Sequence, residues 1–344
     1  MVPKVLIIAT SKYTRGGITA VIKAQQKGAQ WRHFHCKWIG YHIDRANWIK
    51  GIYYLYAFVQ YLLYLPFYQI VHFQFSLPTD AKRSYYFFRI AKLLKKKTIV
   101  HLHCGDQLPD IWCPIYDYMF THCNLALVLS PSIKRMVESY VGKQCRIEVL
   151  YNPCPYVHSI TPVSERKNEI LFAGTLNQNK GYADLIKAFS LIAKHHPNWK
   201  LVFAGNGEVE EAKVLANTLD IINQCEFLGW IYDEQKEAVF RRASILCLAS
   251  YKEGFPMAVL DAWAYGIPIV SSHAGGLVDI VKENKNGLLF EAGNIKQIAD
   301  KLELLIGDVG LREHISMESR LLAMTLFNIN NVNNQLGEFY NNLI

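Results

Sequence analysis

The stretch ILCLASYKEGFPMAVLDAWAYGIPIVSS, residues 245–272, decides the fold class. Its two apolar runs, ILCLAS and IPIVSS, predict buried strands, and the segment between them has the length and composition of a helix. Pro256 suits the first turn of this helix, where a missing N–H costs nothing, and Gly266 is a natural C-terminal cap. We therefore expect a helix from Pro256 to Tyr265 that connects two parallel strands.

The same alternation of apolar runs and helical patterns extends over the whole chain. The other predicted strands are KVLIIAT, YQIVHFQFS, KTIVHLH and LALVLS in the first half and EILFAGT, KLVFAG and CEFLG in the second. Continuous apolar strands separated by helices indicate parallel sheets that are covered on both faces. A chain of 344 residues exceeds the size at which single cores usually split. We expect an α/β chain with two doubly wound, Rossmann-like domains.

Composition places the domain boundary slightly before the middle of the chain. The segment at 156–168 is polar and has a central proline, which is typical of a linker. The prediction is an N-terminal domain at 1–157, a linker at 158–168 and a C-terminal domain at 169–326. The asparagine-rich end, 327–344, predicts a helix that packs back on the N-terminal domain.

The net charge of +8 is unevenly distributed. Residues 1–160 contain 20 Lys and Arg against seven Asp and Glu, whereas the remainder contains 17 against 22. A basic first half favours anionic partners such as a membrane surface or phosphates. The segment KRSYYFFRIAKLLKKK, residues 82–97, predicts a basic amphipathic helix that binds an anionic bilayer, and a solvated helix face is the alternative. No nucleic-acid-binding motif is present, so nucleic acid is not an expected partner.

Two further features concern the compartment. The eight cysteines form no Cys-x-x-Cys pair, which favours buried thiols in a reducing compartment over a metal or redox site. The apolar N-terminus is too short for a signal peptide and predicts a strand, so we expect a cytoplasmic protein.

Residues 51–71 carry no charge over a length that matches a transmembrane span. Their tyrosines and Pro66 favour a buried or interfacial helix that leads into a strand.

The predicted helix after Pro256 is a candidate anion site. The amides of Met257, Ala258 and Val259 begin this helix, and we expect them to have no intrahelical partner. They follow a parallel strand, at the edge of the sheet where ligands bind in such folds. Free amides at the positive end of a helix favour an anion, typically a phosphate.

Two carboxylates, Glu253 and Asp261, flank these amides. A carboxylate repels a phosphate but accepts hydrogen bonds from sugar and ribose hydroxyls. A phosphate site beside two hydroxyl acceptors describes a nucleotide sugar. The alternative is that both acids only complement the helix dipole.

Other loops supply complementary groups. Lys180 lies in the loop of AGTLNQNKGYADLIKAF, residues 173–189, where its ammonium can reach a diphosphate, although a lone loop lysine is usually only solvated. FLGWIYDEQ, residues 227–235, predicts a strand, a turn and a helix start, and its backbone near Trp230 and Ile231 can pair with a nucleobase edge. FAGNGE, residues 203–208, lacks the third glycine of a dinucleotide fingerprint.

Taken in order, GTLNQNKG, AGNGE, FLGW, SYKEGFPMAVLDAWAYGIPIVSSHAGGLVDIV and NGLLF resemble the retaining GT-B glycosyltransferases. The resemblance is to the family 4 group, which contains many bacterial lipopolysaccharide and capsule enzymes. It is specific over residues 170–308 and looser in the first half. It implies two Rossmann-like domains with sheets that face each other across a cleft, the donor bound to the second domain and the acceptor to the first.

The resemblance also assigns roles in the second half. Glu253 corresponds to the first acid of the family's pair and contacts the donor sugar, and Asp261 stands where the family has a second glutamate that holds the ribose. Lys180 matches the lysine of a basic pair that binds the diphosphate, while Thr175 replaces the usual arginine, for which Arg15 is a speculative substitute. The predicted donor loop between the acids also includes Gly254, Phe255 and Pro256.

In the first half the resemblance selects a loop and a histidine. Gly16 and Gly17 form the glycine loop after the first strand, whose backbone can approach the diphosphate closely. His103, in HLHCGD, matches the family's active-site histidine, so Glu253 and His103 are the predicted catalytic residues. His101 on the same strand is a weaker candidate, and Asp106 is a weakly supported contact to the acceptor.

These residues predict transfer of a sugar, with retained configuration, from a nucleotide-diphosphate sugar to a hydroxyl of a glycan or lipid-linked acceptor in bacterial surface polysaccharide synthesis. We expect no metal or cofactor, because the protein supplies the positive field and no Asp-x-Asp motif lies near the sugar site. The expected location is cytoplasmic or peripheral at the inner membrane face. The alternatives are a GT-B sugar-nucleotide epimerase, a non-catalytic nucleotide-sugar-binding protein and, least favoured, a nicotinamide-dependent enzyme.

Overall fold

The chain divides into two compact units in the computed structural model, which describes residues 2–344. The N-terminal unit comprises residues 2–153 and 329–344, and the C-terminal unit comprises residues 154–328. The C-terminal end therefore belongs to the first unit. The predicted linker, 158–168, contains a short 3-10 turn at Val163–Glu165.

The N-terminal unit contains a six-stranded parallel sheet in the order β2-β1-β3-β4-β5-β6. Its strands are β1 (Val5–Ala9), β2 (Lys37–Gly40), β3 (Ile70–Phe75), β4 (Lys97–Leu102), β5 (Leu125–Val128) and β6 (Ile147–Val149). Its helices up to Pro153 are α1 (Gly17–Gln26), α2 (Ala29–His33), α3 (Asn47–Tyr64), α4 (Pro78–Leu93), α5 (Leu108–Ile111), α6 (Pro114–His122) and α7 (Pro131–Val141).

The C-terminal unit repeats this plan with the order β12-β11-β10-β7-β8-β9, again entirely parallel. Its strands are β7 (Glu169–Ala173), β8 (Lys200–Ala204), β9 (Cys225–Gly229), β10 (Ile245–Leu248), β11 (Ile269–Ser272) and β12 (Leu288–Phe290). Its helices are α8 (Tyr182–Ile192), α9 (Val209–Thr218), α10 (Asp233–Arg242), α11 (Met257–Ala264), α12 (Ile295–Gly307) and α13 (Val309–Met324). The predicted doubly wound α/β class is confirmed.

The central strands are apolar because helices cover both faces of each sheet. Every residue of β1, β3, β5, β10 and β11 is buried. The strands missed by sequence reading, β2, β6 and β12, are three or four residues long, and all three lie at sheet edges. Short edge strands bury less apolar surface, so their sequence signal is weak.

The last helix, α14 (Ile329–Asn341), packs against α1 and α2 of the N-terminal unit. Its Val332, Leu336 and Tyr340 belong to that unit's apolar core. The Tyr340 hydroxyl is 2.8 Å from Nδ1 of His72 on β3, and the Gln30 amide donates to the Asn333 side chain over 3.0 Å. These contacts give the asparagine-rich end a packed apolar face and buried polar partners.

The uncharged segment at 51–71 forms most of α3, a 3-10 turn at Leu65–Phe67 and the start of β3. Among residues 2–344, no helix combines the length and apolarity that a bilayer crossing requires. The predicted helix leading into a strand is confirmed, and its interfacial location stays a prediction. The cysteines differ from expectation, because only Cys104, Cys154 and Cys247 are buried and the other five are half-buried.

Candidate functional site

The predicted second-half residues lie where the strand order of the C-terminal sheet reverses. The chain proceeds from β7 outward to β8 and β9 and then returns to β10, on the other side of β7. Loops that leave β7 and β10 at their carboxyl ends diverge, and such switch points form the ligand crevice of open parallel sheets. Lys180 follows β7 and Glu253 follows β10, so the topology brings them to one edge.

These two loops are tied together by backbone and amide contacts. The Asn179 side-chain amide donates to the Lys252 carbonyl over 3.0 Å, and the Tyr251 N–H donates to the Asn179 carbonyl over 2.8 Å. Gly181 has a φ of +65°, and a Cβ there would collide with the Ala249 carbonyl. Only glycine fits this close approach, which fixes the position of Lys180.

Lys180 and Glu253 form an ion pair in which Nζ lies 2.5 Å from Oε1. Glu253 is only 7% exposed and Lys180 is half-buried. A carboxylate removed from water requires a partner, and the ammonium supplies the compensating charge. The family-based assignments of Lys180 and Glu253 thus fall on two groups that contact each other.

The loop that carries Glu253 is anchored from both sides. The Gly276 N–H donates to the Gly254 carbonyl over 2.7 Å, and a Cβ on Gly275, at a φ of +61°, would collide with that carbonyl. The Phe255 ring is 4% exposed and packs against Trp263 and Phe327. The ring therefore anchors the loop in the core, and the predicted place of Phe255 in the donor loop stays a prediction.

The helix after this loop differs in detail from the prediction. It begins at Met257, with Pro256 as an extended N-cap residue rather than the first helical one, and it ends at Ala264. Gly266 has a φ of +65°, as expected of a residue that ends a helix. The Val259 N–H donates to the Pro256 carbonyl over 3.1 Å, so this amide is already bonded and the prediction for it was wrong.

Met257 and Ala258 keep the expected geometry. They are the first two residues of α11 and are half-buried, and their N–H groups have no intrahelical acceptor. Ala258 lines a cavity of about 160 Å³ at this edge of the sheet. The other lining residues are Ala173, Gly174, Ala204, Trp230, Ile231, Lys236, Phe240 and Asp261. The structure thus brings Trp230, Ile231, Ala258 and Asp261 together, as predicted from separate motifs.

Asp261 has a partner that sequence reading missed. Its Oδ2 lies 2.6 Å from Nζ of Lys236, in the first turn of α10. Asp261 is 6% exposed, and burial raises the pKa of its carboxyl while the Lys236 ammonium opposes that shift. A lysine in the first turn of a helix opposes the helix dipole. This unfavourable position is the sequence feature that could have indicated that Lys236 has an acidic partner.

The two acids therefore contact different lysines. Glu253 does not line the cavity that contains Asp261 and Lys236. Because Thr175 stands at the family's arginine position, the sequence offered only one cation, Lys180, for this edge. In the structure Lys236 adds a second cation there. Thr175 itself is exposed directly after β7.

The predicted first-half residues lie at the carboxyl edge of the N-terminal sheet. Gly16 is the exposed N-cap residue of α1, at a φ of +150°, and Gly17 is the first helical residue. His103 follows β4, is half-buried, and its Nε2 lies 3.0 Å from the Gln74 amide oxygen. Burial lowers the pKa of His103 to about 3, so its ring is neutral near pH 7. Its predicted catalytic role stays a prediction.

Within residues 2–344, no three His, Cys, Asp or Glu side chains are grouped so that they could hold a metal ion. The Cys123 and Cys145 sulfurs lie 3.4 Å apart without a disulfide.

Similarity to known proteins agrees with this architecture. HepE of Anabaena in complex with UDP-glucose superposes with a TM-score of 0.79 and 18% identity, covering 99% of this chain and 100% of HepE. The chain thus has the GT-B fold of glycosyltransferases. Residues 157–321 match the family described as glycosyl transferases group 1.

Curated relatives are similar over part of their length. The Campylobacter jejuni alpha-1,4-N-acetyl-D-galactosaminyltransferase of GalNAc-alpha-(1->4)-GalNAc-alpha-(1->3)-diNAcBac-PP-undecaprenol is 31% identical over 229 residues, or 64% of this chain and 62% of that protein. The lipopolysaccharide 1,6-galactosyltransferase of Salmonella typhimurium is 29% identical over 202 residues, or 57% and 56%. The matched segments span about six tenths of each relative.

Proposed function

We propose that this protein transfers a sugar from a nucleoside diphosphate sugar to a hydroxyl group of a glycan or lipid-linked acceptor. The observation that carries the proposal is the pairing of Lys180 with Glu253 and of Lys236 with Asp261 beside the free amides of α11. Two cations and two peptide N–H groups suit a diphosphate, and two acids suit sugar and ribose hydroxyls.

The ion pairs imply an exchange of partners when the donor binds. The Lys180 ammonium can turn from Glu253 to a diphosphate oxygen, which frees the carboxylate to accept a hydrogen bond from a sugar hydroxyl. Lys236 and Asp261 can divide in the same way between phosphate and ribose. Each buried acid thus keeps a polar partner in both states, because a buried charge without one is strongly destabilised.

In the proposed reaction, the bond between the anomeric carbon and the diphosphate oxygen breaks, and the oxygen keeps the electron pair. The acceptor hydroxyl oxygen forms the new bond and loses its proton. Negative charge grows on the leaving diphosphate, where Lys180 and the Met257 and Ala258 amides stabilise it. We propose retention of configuration and catalysis without a metal, and turnover undiminished by excess EDTA tests the latter.

The acceptor class follows from the relatives and the basic N-terminal unit. The Campylobacter jejuni relative is named for an undecaprenol-linked glycan and the Salmonella typhimurium relative for lipopolysaccharide. We propose bacterial surface polysaccharide synthesis as the setting, with the protein cytoplasmic or peripheral at the inner face of the membrane.

A panel of UDP-, GDP-, ADP- and dTDP-sugars, read first by thermal shift and then by release of nucleoside diphosphate with undecaprenol-linked and lipopolysaccharide acceptors, tests the proposal. The expected result is one donor that raises the melting temperature and is consumed only when an acceptor is present. Consumption without any acceptor would instead support the epimerase. Binding without turnover for every acceptor would support the non-catalytic protein.

A further inference from the structure

Helix α3 (Asn47–Tyr64) presents an apolar face to solvent. Five side chains, which we call the outer face of α3, recur at intervals of three or four residues: Trp48, Ile52, Leu55, Val59 and Leu63. Their exposed fractions run from 48% to 70%. Monomeric proteins rarely leave a continuous apolar stripe of this length uncovered, so the outer face requires an explanation.

The core of the N-terminal unit does not need this face. The opposite side of α3 packs on α4, where the Tyr54, Phe58 and Tyr61 rings surround Phe87 at centroid distances of 4.9 to 5.6 Å. The Tyr54 hydroxyl also donates to the Arg83 carbonyl over 2.9 Å, and the Tyr61 hydroxyl to the Phe87 carbonyl over 2.6 Å. The helix is held in place by its inner side alone.

Cations lie near both ends of α3. Lys50, Lys82 and Arg83 border one depression beside the start of α3, together with Tyr54 and Tyr86. At the other end, the Lys96 ammonium donates to the carbonyl of Pro66 over 3.1 Å. Residues 1–105 contain 16 Lys and Arg against two Asp and no Glu, so few carboxylates offset this charge.

The neighbouring segment, 82–97, adds mainly charge. Within α4, Phe87 and Phe88 are buried, whereas Lys82 and Arg89 are exposed. Tyr86, Leu93 and Leu94 of this segment are exposed as well, and the predicted contact of 82–97 with a bilayer stays a prediction. The longer apolar stripe is that of α3.

We propose that the outer face of α3 docks on an anionic lipid bilayer, with the helix parallel to the surface. The apolar side chains enter the boundary between headgroups and acyl chains, and the lysines around them bind lipid phosphates. Trp48 and Tyr56 are the residue types that favour this boundary. A second copy of the chain fits the face poorly, because the two basic surfaces would repel each other.

The test is co-sedimentation of the full chain with vesicles of 70% phosphatidylcholine and 30% phosphatidylglycerol and with vesicles of pure phosphatidylcholine. The variant L55Q/L63Q removes two residues of the outer face that are 63% and 65% exposed. Its matched control, L191Q/V214Q, changes two residues of the C-terminal unit that are 59% and 67% exposed. Thermal melting checks that both variants fold.

The partition coefficient on anionic vesicles should fall at least ~10-fold for L55Q/L63Q and stay within about two-fold of wild type for the control. K82Q/K96Q should weaken binding to the anionic vesicles more than K187Q/K194Q, because Lys82 borders the depression beside α3 and Lys96 contacts Pro66 after its end. Raising the salt concentration should weaken the wild type.

Undiminished vesicle binding by L55Q/L63Q overturns the proposal, and so does equal binding of the wild type to both vesicle types. A wild-type dimer in sedimentation equilibrium that L55Q/L63Q converts to a monomer, without vesicle binding by either, would assign the face to a second copy and also overturn it. The assay contains no donor or acceptor, so its outcome is independent of the proposed transfer reaction.

Discussion

The polar side chains at the carboxyl edges of the two sheets differ in their charge state. At the edge of the C-terminal sheet the groups are charged, and each acid, Glu253 or Asp261, contacts a lysine. At and behind the edge of the N-terminal sheet they are neutral, since the rings of His72, His101 and His103 lie beside one another and burial lowers the pKa of each. A shared topology therefore does not impose shared electrostatics.

The difference teaches that burial has two outcomes for an ionisable group. Beside an opposite charge the ionised form persists, as in the two lysine–carboxylate pairs. Without one, the group becomes neutral, and three adjacent histidines reinforce this because each protonated ring would repel the next. The charged edge suits a donor with phosphates and hydroxyls, whereas the neutral edge offers no fixed charge.

The largest expected effect tests the charged edge directly. Lys180→Ala and Glu253→Ala should each lower kcat at least ~10²-fold, the scale for losing one preorganised charge-stabilising group. The measurement is steady-state turnover with the donor found in the panel. Lys194→Ala, at an exposed site of the same unit, is the control and should leave turnover unchanged. Near wild-type rates for both site variants would place the reaction elsewhere.

The neutral edge predicts acid sensitivity. The pKa of His72 is lowered to about 3 in the folded protein, against an ordinary value near 6.5. Below pH 6.5 the unfolded chain takes up protons that the folded chain refuses, so stability should fall as the pH drops toward 3 and stay insensitive to these rings above 6.5. The limit is about 1.4 kcal/mol per pH unit for each such histidine.

Urea unfolding between pH 8 and pH 5 measures this slope. His101→Met removes one ring whose two nitrogens have no hydrogen-bond partner within residues 2–344. The variant should reduce the dependence of the unfolding free energy on pH by the amount that corresponds to at most one bound proton. His195→Gln, at an exposed position of the C-terminal unit, should not change it. An unchanged slope for His101→Met would show that these rings already bind protons in the folded state.

The smallest expected effect sharpens the role of Lys236. Lys236→Met leaves the Asp261 carboxyl buried without its cation, so the pKa of Asp261 should rise further. We expect donor affinity to fall ~10-fold and its pH dependence to move to higher pH. Isothermal titration with the donor between pH 5 and pH 8 measures both. A fall in affinity without any change in the pH profile would assign Lys236 to phosphate binding alone.

Much of the fold was predictable because buried parallel strands are almost entirely apolar. Nine of the twelve strands correspond to runs such as VLIIA in β1 and ILCL in β10. β2 escaped notice because three of its four residues are only half-buried, so they need not be apolar. The helix predicted in 82–97 is present in α4, but periodicity alone did not tell which of its sides meets the core, and its contact with a membrane stays a prediction.

The candidate site was predictable where a residue lies next to a local backbone signal. Glu253, Met257, Ala258 and Asp261 adjoin a proline that starts a helix, and Lys180 precedes a glycine. Their joint assignment to one donor stays a prediction. Lys236 and Asn179 were missed because their partners, Asp261 and the Lys252 carbonyl, lie 25 and 73 positions away in the chain.

The sequence by itself determined the alternation of strands and helices, the two-unit organisation and the acids around the Gly-Phe-Pro turn, since these depend on local hydrophobicity and backbone preference. Only the tertiary structure decided which cation meets which acid, that the Phe255 ring and the Val259 amide are already engaged, and that α3 leaves a long apolar face uncovered. Those outcomes depend on which segments the sheet order places side by side, and that order arises from packing over the whole unit.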